Sequence, residues 1–297
     1  VKENQMSELV YVDGEFVDKD KAVVSVFDHG LLYGDGVFEG IRAYHGKVFK
    51  LKEHIDRLYD SAKAILLNIH ITRQEMEQIV VDSCAKNGIK DGYIRLVVTR
   101  GVGDLGLNPY LCKQESIICI AANIQLYPTK YYTEGLKIVT VPQTRNFHEA
   151  LNPRIKSLNY LNNVLAKIEA IQAGVVEAMM LNTQGYVAEC TGDNIFLMRK
   201  GILYTPNIAS GALEGITRET VIDLARRRGI EVREDFITRF DVYTADEIFL
   251  TGTAAEVITV VEVDSRLIAE GQVGQITQDL IADYKKETSE NGTPIGI

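Results

Sequence analysis

Tryptophan is absent from this 297-residue chain, and so are long apolar runs and basic blocks. The longest purely apolar runs, such as Ile117–Ala122, fall far short of the roughly 18–20 residues that a membrane-spanning helix needs. The polar start, Val1–Glu8, lacks the basic and then apolar pattern of a secretory signal. With 32 Lys+Arg against 41 Asp+Glu, the net charge is −9, which argues against a nucleic-acid partner. We therefore expect a cytoplasmic protein that binds neither membrane nor nucleic acid.

Cysteine is scarce and is not arranged for metal binding. The four cysteines, at positions 84, 112, 119 and 190, form no Cys-x-x-Cys pair, and none lies three to five residues from a histidine. A chain of this size without a secretory signal is also a poor candidate for a disulfide framework. We expect no metal site and four small buried thiols in a reducing cytoplasm.

What the sequence does contain is ordinary globular composition, with 46% apolar and 25% charged residues, and a length that suits two domains. The alternation of apolar residues predicts the following strands: Leu9–Val12, Glu15–Val17, Ala22–Phe27, Val37–Tyr44, Lys47–Leu51, Tyr93–Thr99, Ser116–Ile124, Leu136–Val141, Glu177–Leu181, Tyr186–Ala188, Asn194–Arg199, Ile202–Thr205, Glu247–Leu250 and Val257–Val263. Helical spacing and end signals predict these helices: Leu51–Leu66, Thr72–Asn87, Leu158–Ala173, Ile216–Arg228 and Ile276–Lys286.

The order of these elements predicts two α+β domains with mostly antiparallel pairing. The polar stretch Gln125–Gly135 contains proline and ends in glycine, which is typical of a connection between domains. We therefore predict a small N-terminal domain over 1–124, a connection over 125–135 and a larger C-terminal domain over 136–297.

A glycine-rich segment, Gly101–Gly106, matches the G-x-G-x-x-G pattern and follows a predicted strand. A dinucleotide site also needs a helix that begins within the motif, whereas Asn108 and Pro109 follow here and would end any helix. We interpret this segment as a mobile loop that covers a binding site, with the nucleotide site as the weaker alternative.

Two segments could bind phosphate. Thr217 lies at the start of a predicted helix preceded by a glycine, where free amides suit an anion, although a plain threonine cap is the alternative. At Leu250–Ala255 a predicted strand gives way to small residues, so the backbone there could closely approach a ligand. Arg57 could supply a cation for the phosphate or could be a solvated helix-face arginine. No spacing rule distinguishes Lys156 from the other lysines. Reasoning from the residues reaches a two-domain α+β enzyme with an anionic ligand.

Read together, seven segments resemble the fold-type IV pyridoxal-phosphate (PLP) transaminases, most of all the branched-chain amino acid aminotransferases. They occur in the family's order along nearly the whole chain: Tyr33–Arg42, His54–Arg57, Tyr93–Arg95, Lys156–Tyr160, Glu189–Gly192, Gly215–Arg218 and Thr251–Glu256. The resemblance implies a two-domain fold like that of D-amino acid aminotransferase, with antiparallel sheets and flanking helices, and PLP as cofactor.

The resemblance also implies residue roles at the cofactor. Lys156 would hold PLP as an internal aldimine and then move the substrate's proton in a ping-pong reaction. Glu189 would keep the pyridine nitrogen protonated, and Tyr160 would hydrogen-bond the ring's phenolic oxygen. Arg57 would clamp the phosphate. The rest of the phosphate cup would be formed by Ile216, Thr217 and Thr253.

On the substrate side, the resemblance implies an apolar pocket with a cation at its edge. Arg95, with Tyr93 nearby, would meet the side-chain carboxylate of glutamate, and the backbone at Thr253–Ala254 would bind the α-carboxylate. The apolar wall would comprise Tyr33, Phe38, Leu105 and Leu107. Phe38 and Tyr93 could instead be core residues of their strands. The 101–109 loop would reach the neighbouring subunit's pocket, which implies a homodimer or a higher oligomer.

The expected reaction is transamination of L-leucine, L-isoleucine and L-valine with 2-oxoglutarate. The alternatives within the fold are a D-amino acid or (R)-amine transaminase and an aminodeoxychorismate lyase, and outside it a non-catalytic or nucleotide-binding protein. Arg100 is interpreted as an ion-pair residue, with wider acceptance of acidic substrates as the alternative. Tyr127 and Tyr131 stand near the connection, where some relatives carry a tryptophan.

Overall fold

The computed structural model describes residues 8–123 and 128–296. Its helices are α1 His29–Tyr33, α2 Leu51–Ala64, α3 Arg73–Lys86, α4 Lys130–Glu134, α5 Leu161–Gln172, α6 Ile216–Arg227, α7 Arg239–Tyr243 and α8 Gln275–Glu290. Its strands are β1 Leu9–Val12, β2 Glu15–Asp18, β3 Gly36–Tyr44, β4 Lys47–Val48, β5 Gly92–Thr99, β6 Ser116–Ala122, β7 Leu136–Val141, β8 Glu177–Leu181, β9 Val187–Cys190, β10 Asn194–Arg199, β11 Ile202–Pro206, β12 Glu231–Asp235, β13 Glu247–Gly252, β14 Glu256–Val263, β15 Arg266–Leu267 and β16 Thr293–Pro294. None of the helices described is long and apolar enough to cross a bilayer.

The chain divides into two compact units. Unit 1 comprises Val1–Ile124, Ile155–Asn159 and Thr288–Ile297, and unit 2 comprises Gln125–Arg154 and Tyr160–Glu287. The predicted domains differ from these units, because the segment with Lys156 was assigned to the C-terminal domain and belongs with unit 1. It joins unit 1 through backbone contacts with β3, including a bridge between Val37 and Ser157.

Unit 1 is built on a seven-stranded sheet in the order β16-β4-β3-β5-β6-β1-β2, in which all the neighbouring strands described are antiparallel. The predicted hairpin turns at Asp13 and Gly14, both with positive φ, as a tight two-residue turn requires. Helix α3 begins with the predicted capping box, in which Thr72 Oγ1 accepts from Glu75 N and Glu75 Oε2 accepts from Thr72 N. Helices α2 and α3 bury apolar side chains in the core of this unit.

Two strand predictions in unit 1 are wrong. Ala22–Phe27 has β-branched residues but forms no strand, and Val23 and Val26 are 75% and 68% exposed. Propensity alone does not make a strand where no neighbouring strand is aligned to bond it. The strand predicted over Lys47–Leu51 is only two residues long, because α2 begins at Leu51.

Unit 2 is built on a nine-stranded sheet in the order β12-β11-β10-β13-β14-β7-β8-β9, with β15 beside β14. The pairs β11–β12, β14–β7 and β7–β8 are parallel, and the other pairs described are antiparallel. Helix α5 begins at Leu161 rather than at the predicted Leu158. The residues before it bond the region of β3 instead, with Phe38 N donating to Lys156 O and Leu158 N donating to Gly36 O. The predicted stops at Gly174 and Gly229 both have positive φ.

Candidate active site

In unit 1, one face of α2 carries three polar side chains at helical spacing, His54, Arg57 and Ser61. Arg57 donates from Nε to Glu39 Oε1 (2.8 Å) and from Nη2 to Glu39 Oε2 (2.7 Å). His54 Nδ1 lies 2.7 Å from the same Oε2. Glu39 is fully buried on β3, so this carboxylate meets a guanidinium and an imidazole inside the protein.

The charges in this cluster follow from burial and pairing. Burial by itself raises the pKa of Glu39, but the charge of Arg57 and the hydrogen bonds from His54 and Arg57 outweigh it and lower the pKa to about 2. Burial lowers the pKa of His54, and the charges of Arg57 and Lys156 add to that effect, although Glu39 opposes it. Because Glu39 is ionised and only accepts, the neutral His54 ring donates to it from Nδ1.

Lys156 lies in the extended segment beside β3. Its carbonyl accepts from Phe38 N (2.9 Å), and its own amide donates to Ser61 Oγ (3.2 Å). Its Nζ lies 4.7 Å from the centroid of the Phe38 ring. The backbone of Lys156 is thus held by both β3 and α2, and its amine lies over an aromatic face.

Phe38 also meets the second predicted cation of unit 1. The Arg95 guanidinium carbon lies 4.6 Å from the Phe38 ring centroid, and Arg95 Nη2 donates to the Tyr93 hydroxyl (3.0 Å). Gly40 makes room for that hydroxyl, because a Cβ at Gly40 would collide with it. The structure thus brings Tyr93, Phe38, Arg95 and Lys156 together, with Phe38 buried and Tyr93 half-buried.

The glycine-rich loop is anchored from α1. Tyr33 donates its hydroxyl to Leu105 O (2.5 Å), while the side chains of Leu105 and Leu107 are 70% and 78% exposed. A three-residue 3-10 helix, Pro109–Leu111, follows the loop, so no helix begins inside the G-x-G-x-x-G motif. The rejection of a dinucleotide site is consistent with this geometry.

Arg100 is an ion-pair residue, as interpreted from the sequence. It donates from Nε and Nη2 to the two oxygens of Asp35 at 2.9 Å each. Its nitrogens also bind the carbonyls of Ile65 and Leu66.

Of the two tyrosines in the segment 125–135, Tyr131 packs against the core of unit 2, and Tyr127 lies outside the described residues.

In unit 2, Glu189 is a buried carboxylate on β9 surrounded by donors. Arg145 binds Oε1 from Nε (3.0 Å) and Nη2 (2.7 Å). Asn194 Nδ2 (3.2 Å) and the amide of Leu213 (2.9 Å) bind Oε2. Arg145 Nη1 also donates to Asn163 Oδ1 (3.1 Å). The Glu189 carboxylate is thus fixed in place by a guanidinium and two amide donors.

The predicted phosphate residues of unit 2 lie at the ends of two elements. Helix α6 begins with Gly215 as its N-cap and has no side-chain cap, so Thr217 is the second helical residue and not the cap. Its first turn, with Ile216 and Thr217, therefore has amides that no cap side chain satisfies. Thr253 and Ala254 form the half-buried turn between β13 and β14. Tyr160 is the half-buried N-cap residue of α5.

Sequence reasoning missed the residues that hold the predicted ones in place. Glu39 was visible as a carboxylate in an otherwise apolar row, between Val37 and Ile41. Arg145, Asn163 and Asn194 follow no spacing pattern and come from separate elements, so only the fold identifies them.

Each unit by itself carries groups that suit a phosphorylated pyridine aldehyde. In unit 1, Lys156 offers an amine for an aldehyde and Arg57 a guanidinium for a phosphate. In unit 2, the start of α6 offers amide donors for a phosphate and Glu189 a carboxylate for a ring nitrogen.

Comparisons with known proteins agree with this chemistry. The family model of class IV amino-transferases matches residues 36–263. A Methanocaldococcus jannaschii protein, provisionally assigned as a branched-chain-amino-acid aminotransferase, is 55% identical over 93% of this chain and 95% of its own length. The structure of the Escherichia coli branched-chain amino acid aminotransferase has a TM-score of 0.92 at 34% identity, covering 94% of each chain.

A third match connects the fold with the cofactor. The branched-chain amino acid aminotransferase of Thermobaculum terrenum, solved in its PLP form, has a TM-score of 0.88 at 32% identity, covering 98% of this chain and 99% of that one. The chain therefore belongs to the class IV amino-transferases and is a PLP-dependent transferase of fold type IV.

Proposed function

We propose that this protein transfers the amino group of L-leucine, L-isoleucine and L-valine to 2-oxoglutarate, giving branched-chain 2-oxo acids and L-glutamate by a ping-pong mechanism. The names of its relatives support this substrate class. The observation that carries the proposal is Arg95 lying over the Phe38 ring and bound to the Tyr93 hydroxyl.

That arrangement meets the double requirement of the reaction. An aliphatic side chain needs an apolar wall, and the ring of Phe38 provides one. Glutamate needs a cation for its side-chain carboxylate, and Arg95, which lies over the same ring, provides one. We assign Tyr33, Leu105 and Leu107 to the apolar wall as well, and the backbone at Thr253–Ala254 to the substrate α-carboxylate.

Each proposed cofactor residue has its own task. Arg57, the amides of Ile216 and Thr217, and Thr253 bind the phosphate. Tyr160 donates to the phenolic oxygen of the ring. Glu189, held in place by Arg145, would keep the pyridine nitrogen protonated.

When bound, PLP takes up the amino group and accepts the electron pair left at the substrate Cα. Lys156 Nζ would hold the cofactor before the substrate arrives, and it would then carry the proton from the substrate Cα to C4′, the former aldehyde carbon of the cofactor. The aromatic face of Phe38 keeps that amine in place. Tyr93 holds Arg95 toward the acidic substrate.

We further propose a homodimer or higher homo-oligomer in which the 101–109 loop reaches the neighbouring subunit's pocket. The exposure of Leu105 and Leu107 on that loop supports it.

The four cysteines are all free thiols, which supports a location in the reducing cytoplasm.

The function is tested by incubating the purified protein with leucine and 2-oxoglutarate and measuring glutamate. We expect turnover with leucine, isoleucine and valine, and no turnover with D-alanine. Turnover of D-alanine with none of the branched-chain substrates would assign the protein to the D-amino acid branch of the fold.

The role of Lys156 is tested by borohydride reduction followed by peptide mapping. We expect the pyridoxyl label on Lys156, and near-background transamination in Lys156→Ala with the fold retained by circular dichroism. A label on another lysine, or full activity in Lys156→Ala, would overturn the assignment. The matched control is Lys167→Ala, since Lys167 pairs with Glu177 on a different element.

A further inference from the structure

The carboxylate of Glu39 is buried where a charge is energetically unfavourable. It projects from β3 in the same row as Val37 and Ile41, both fully buried in the core of unit 1. Removing a charge from water is unfavourable, and a pair of buried charges is often no more stabilising than apolar residues of the same volume. Stability alone is therefore a poor account of an ionised carboxylate at this position.

The geometry of the cluster limits the movement of one group above all, the guanidinium of Arg57. Glu39 takes two of its three nitrogens, Nε and Nη2, in a planar fork at 2.8 and 2.7 Å. A fork of this kind fixes the plane of the guanidinium as well as its position. His54 in turn fixes the carboxylate by donating to Oε2 at 2.7 Å.

Burial makes this arrangement rigid. The Glu39 side chain is 0% exposed, that of His54 is 2% exposed and that of Arg57 is 14% exposed. An exposed arginine samples many rotamers and loses that freedom when it binds a ligand. In this cluster Arg57 loses that rotamer freedom when the protein folds. A ligand of Arg57 therefore meets a donor that is already oriented.

We propose that Glu39 and His54 are positioning residues that hold the guanidinium of Arg57 in the orientation in which it binds the phosphate of the cofactor. This inference rests on the proposed role of Arg57. It adds a carboxylate and an imidazole that do not themselves touch the phosphate.

A purely electrostatic effect of Glu39 and a positioning role for Glu39 predict opposite changes in the affinity for PLP. The negative charge of Glu39 repels a phosphate, so if charge alone mattered, Glu39→Gln would bind PLP more tightly. If Glu39 positions Arg57, the same change loosens the fork and PLP binds more weakly. The direction of the change in affinity therefore decides between the two.

The experiment measures the dissociation constants of PLP and of pyridoxal, which lacks the phosphate, for the apoenzyme by absorbance titration. For Glu39→Gln we expect PLP to bind at least about tenfold more weakly, as expected for a disturbed charge-assisted hydrogen bond, with pyridoxal nearly unchanged. The matched control is Glu115→Gln. Glu115 is a second buried carboxylate of unit 1 bonded to a histidine, His70, at 2.7 Å, and we expect both affinities to stay as in wild type.

A second pair of variants tests His54 and remains informative if Glu39→Gln does not fold. His54→Leu removes the donor to Glu39, and we expect PLP affinity to fall about threefold or more. His54→Asn keeps an N–H donor near the position of Nδ1, and we expect it to restore most of the affinity.

Three outcomes would overturn the inference. They are tighter PLP binding in Glu39→Gln, an equal loss for PLP and pyridoxal, and equal affinities in His54→Leu and His54→Asn. Failure of the wild-type protein to bind PLP at Lys156 would instead overturn the proposed function, so the two failures are distinguishable.

Discussion

At the scale of single residues, two charged side chains of the proposed site are each held by a partner that is distant in the chain. Arg57 on α2 is held by Glu39 on β3, and Glu189 on β9 is held by Arg145. Charged groups fixed in this way keep their orientation without help from solvent. We therefore expect variants of Glu39 and Arg145 to change the positions of Arg57 and Glu189.

The ionised state of Glu39 predicts a pH dependence of stability. Its pKa is lowered in the folded protein from 4.5 to about 2. A carboxyl group with a lowered folded pKa stabilises the fold above its unfolded pKa, and this contribution is lost as the pH falls from about 5 to about 2. We expect a loss of the order of 3 kcal/mol for this group across that window.

The measurement is urea unfolding of wild type and Glu39→Gln at a series of pH values. Because other carboxylates titrate in both proteins, the difference between the two free energies of unfolding isolates Glu39. We expect wild type to be the more stable near neutral pH and the difference to shrink in acid. A difference that is constant with pH would contradict the ionised state of Glu39.

The hydroxyl of Tyr93 predicts a change in substrate preference. Tyr93→Phe removes the hydrogen bond to Arg95 and leaves the aromatic ring in place. We expect kcat/KM for glutamate to fall about tenfold, as for the loss of a bond to a charged group, with the value for leucine nearly unchanged. An equal fall for both substrates would show that the hydroxyl does not act through the Arg95 cation.

Among the elements, the start of α6 leaves its own amides without a side-chain cap and also makes room for the side chain of Asn194. Its N-cap is Gly215, and a Cβ there would collide with Asn194 Oδ1. Asn194 donates to Glu189 Oε2 and to Leu213 O, so its side chain has little room to move away. The glycine thus leaves the helix amides open and leaves space for the residue that supports Glu189.

We therefore expect Gly215→Ala to push Asn194 out of its hydrogen bonds, lower the free energy of unfolding by about 1–3 kcal/mol and weaken PLP binding. The matched control is Gly192→Ala, since a Cβ at Gly192 meets nothing within 4 Å. Thermal unfolding and PLP titration of both variants check this. Equal behaviour of the two variants would contradict the close approach at Gly215.

For the molecule as a whole, the proposed site residues are divided between the two units. Lys156, Arg57 and Arg95 belong to unit 1, whereas Tyr160 and Glu189 belong to unit 2. The chain passes from unit 2 into unit 1 for five residues, Ile155–Asn159, and back again. A cofactor that binds the folded chain and not the unfolded one raises the stability of the folded chain.

Removal of the cofactor is therefore expected to lower the melting temperature. With free PLP at 100 times its dissociation constant, binding adds about 2.7 kcal/mol to the free energy of unfolding. Differential scanning fluorimetry of the apoenzyme with increasing PLP checks this, with Lys156→Ala as the variant that keeps the noncovalent contacts alone. A melting temperature independent of PLP would contradict the prediction.

Local features of this fold could be predicted from the sequence because neighbouring residues decide them. The hairpin at Asp13 and Gly14, the capping box of α3 and the glycine stops after α5 and α6 each depend on a few adjacent side chains and backbone angles. The family resemblance, spread over seven short segments, predicted the fold class and the cofactor.

Only the tertiary structure decided what depends on residues far apart in the chain. Ala22–Phe27 looks like a strand but has no strand to pair with, and Lys156 belongs to unit 1 because its segment bonds β3. The partners of Arg57 and Glu189 come from other elements, so no spacing rule reaches them. Strand pairing and buried ion pairs are formed by packing, and packing is a property of the folded chain rather than of any short stretch of it.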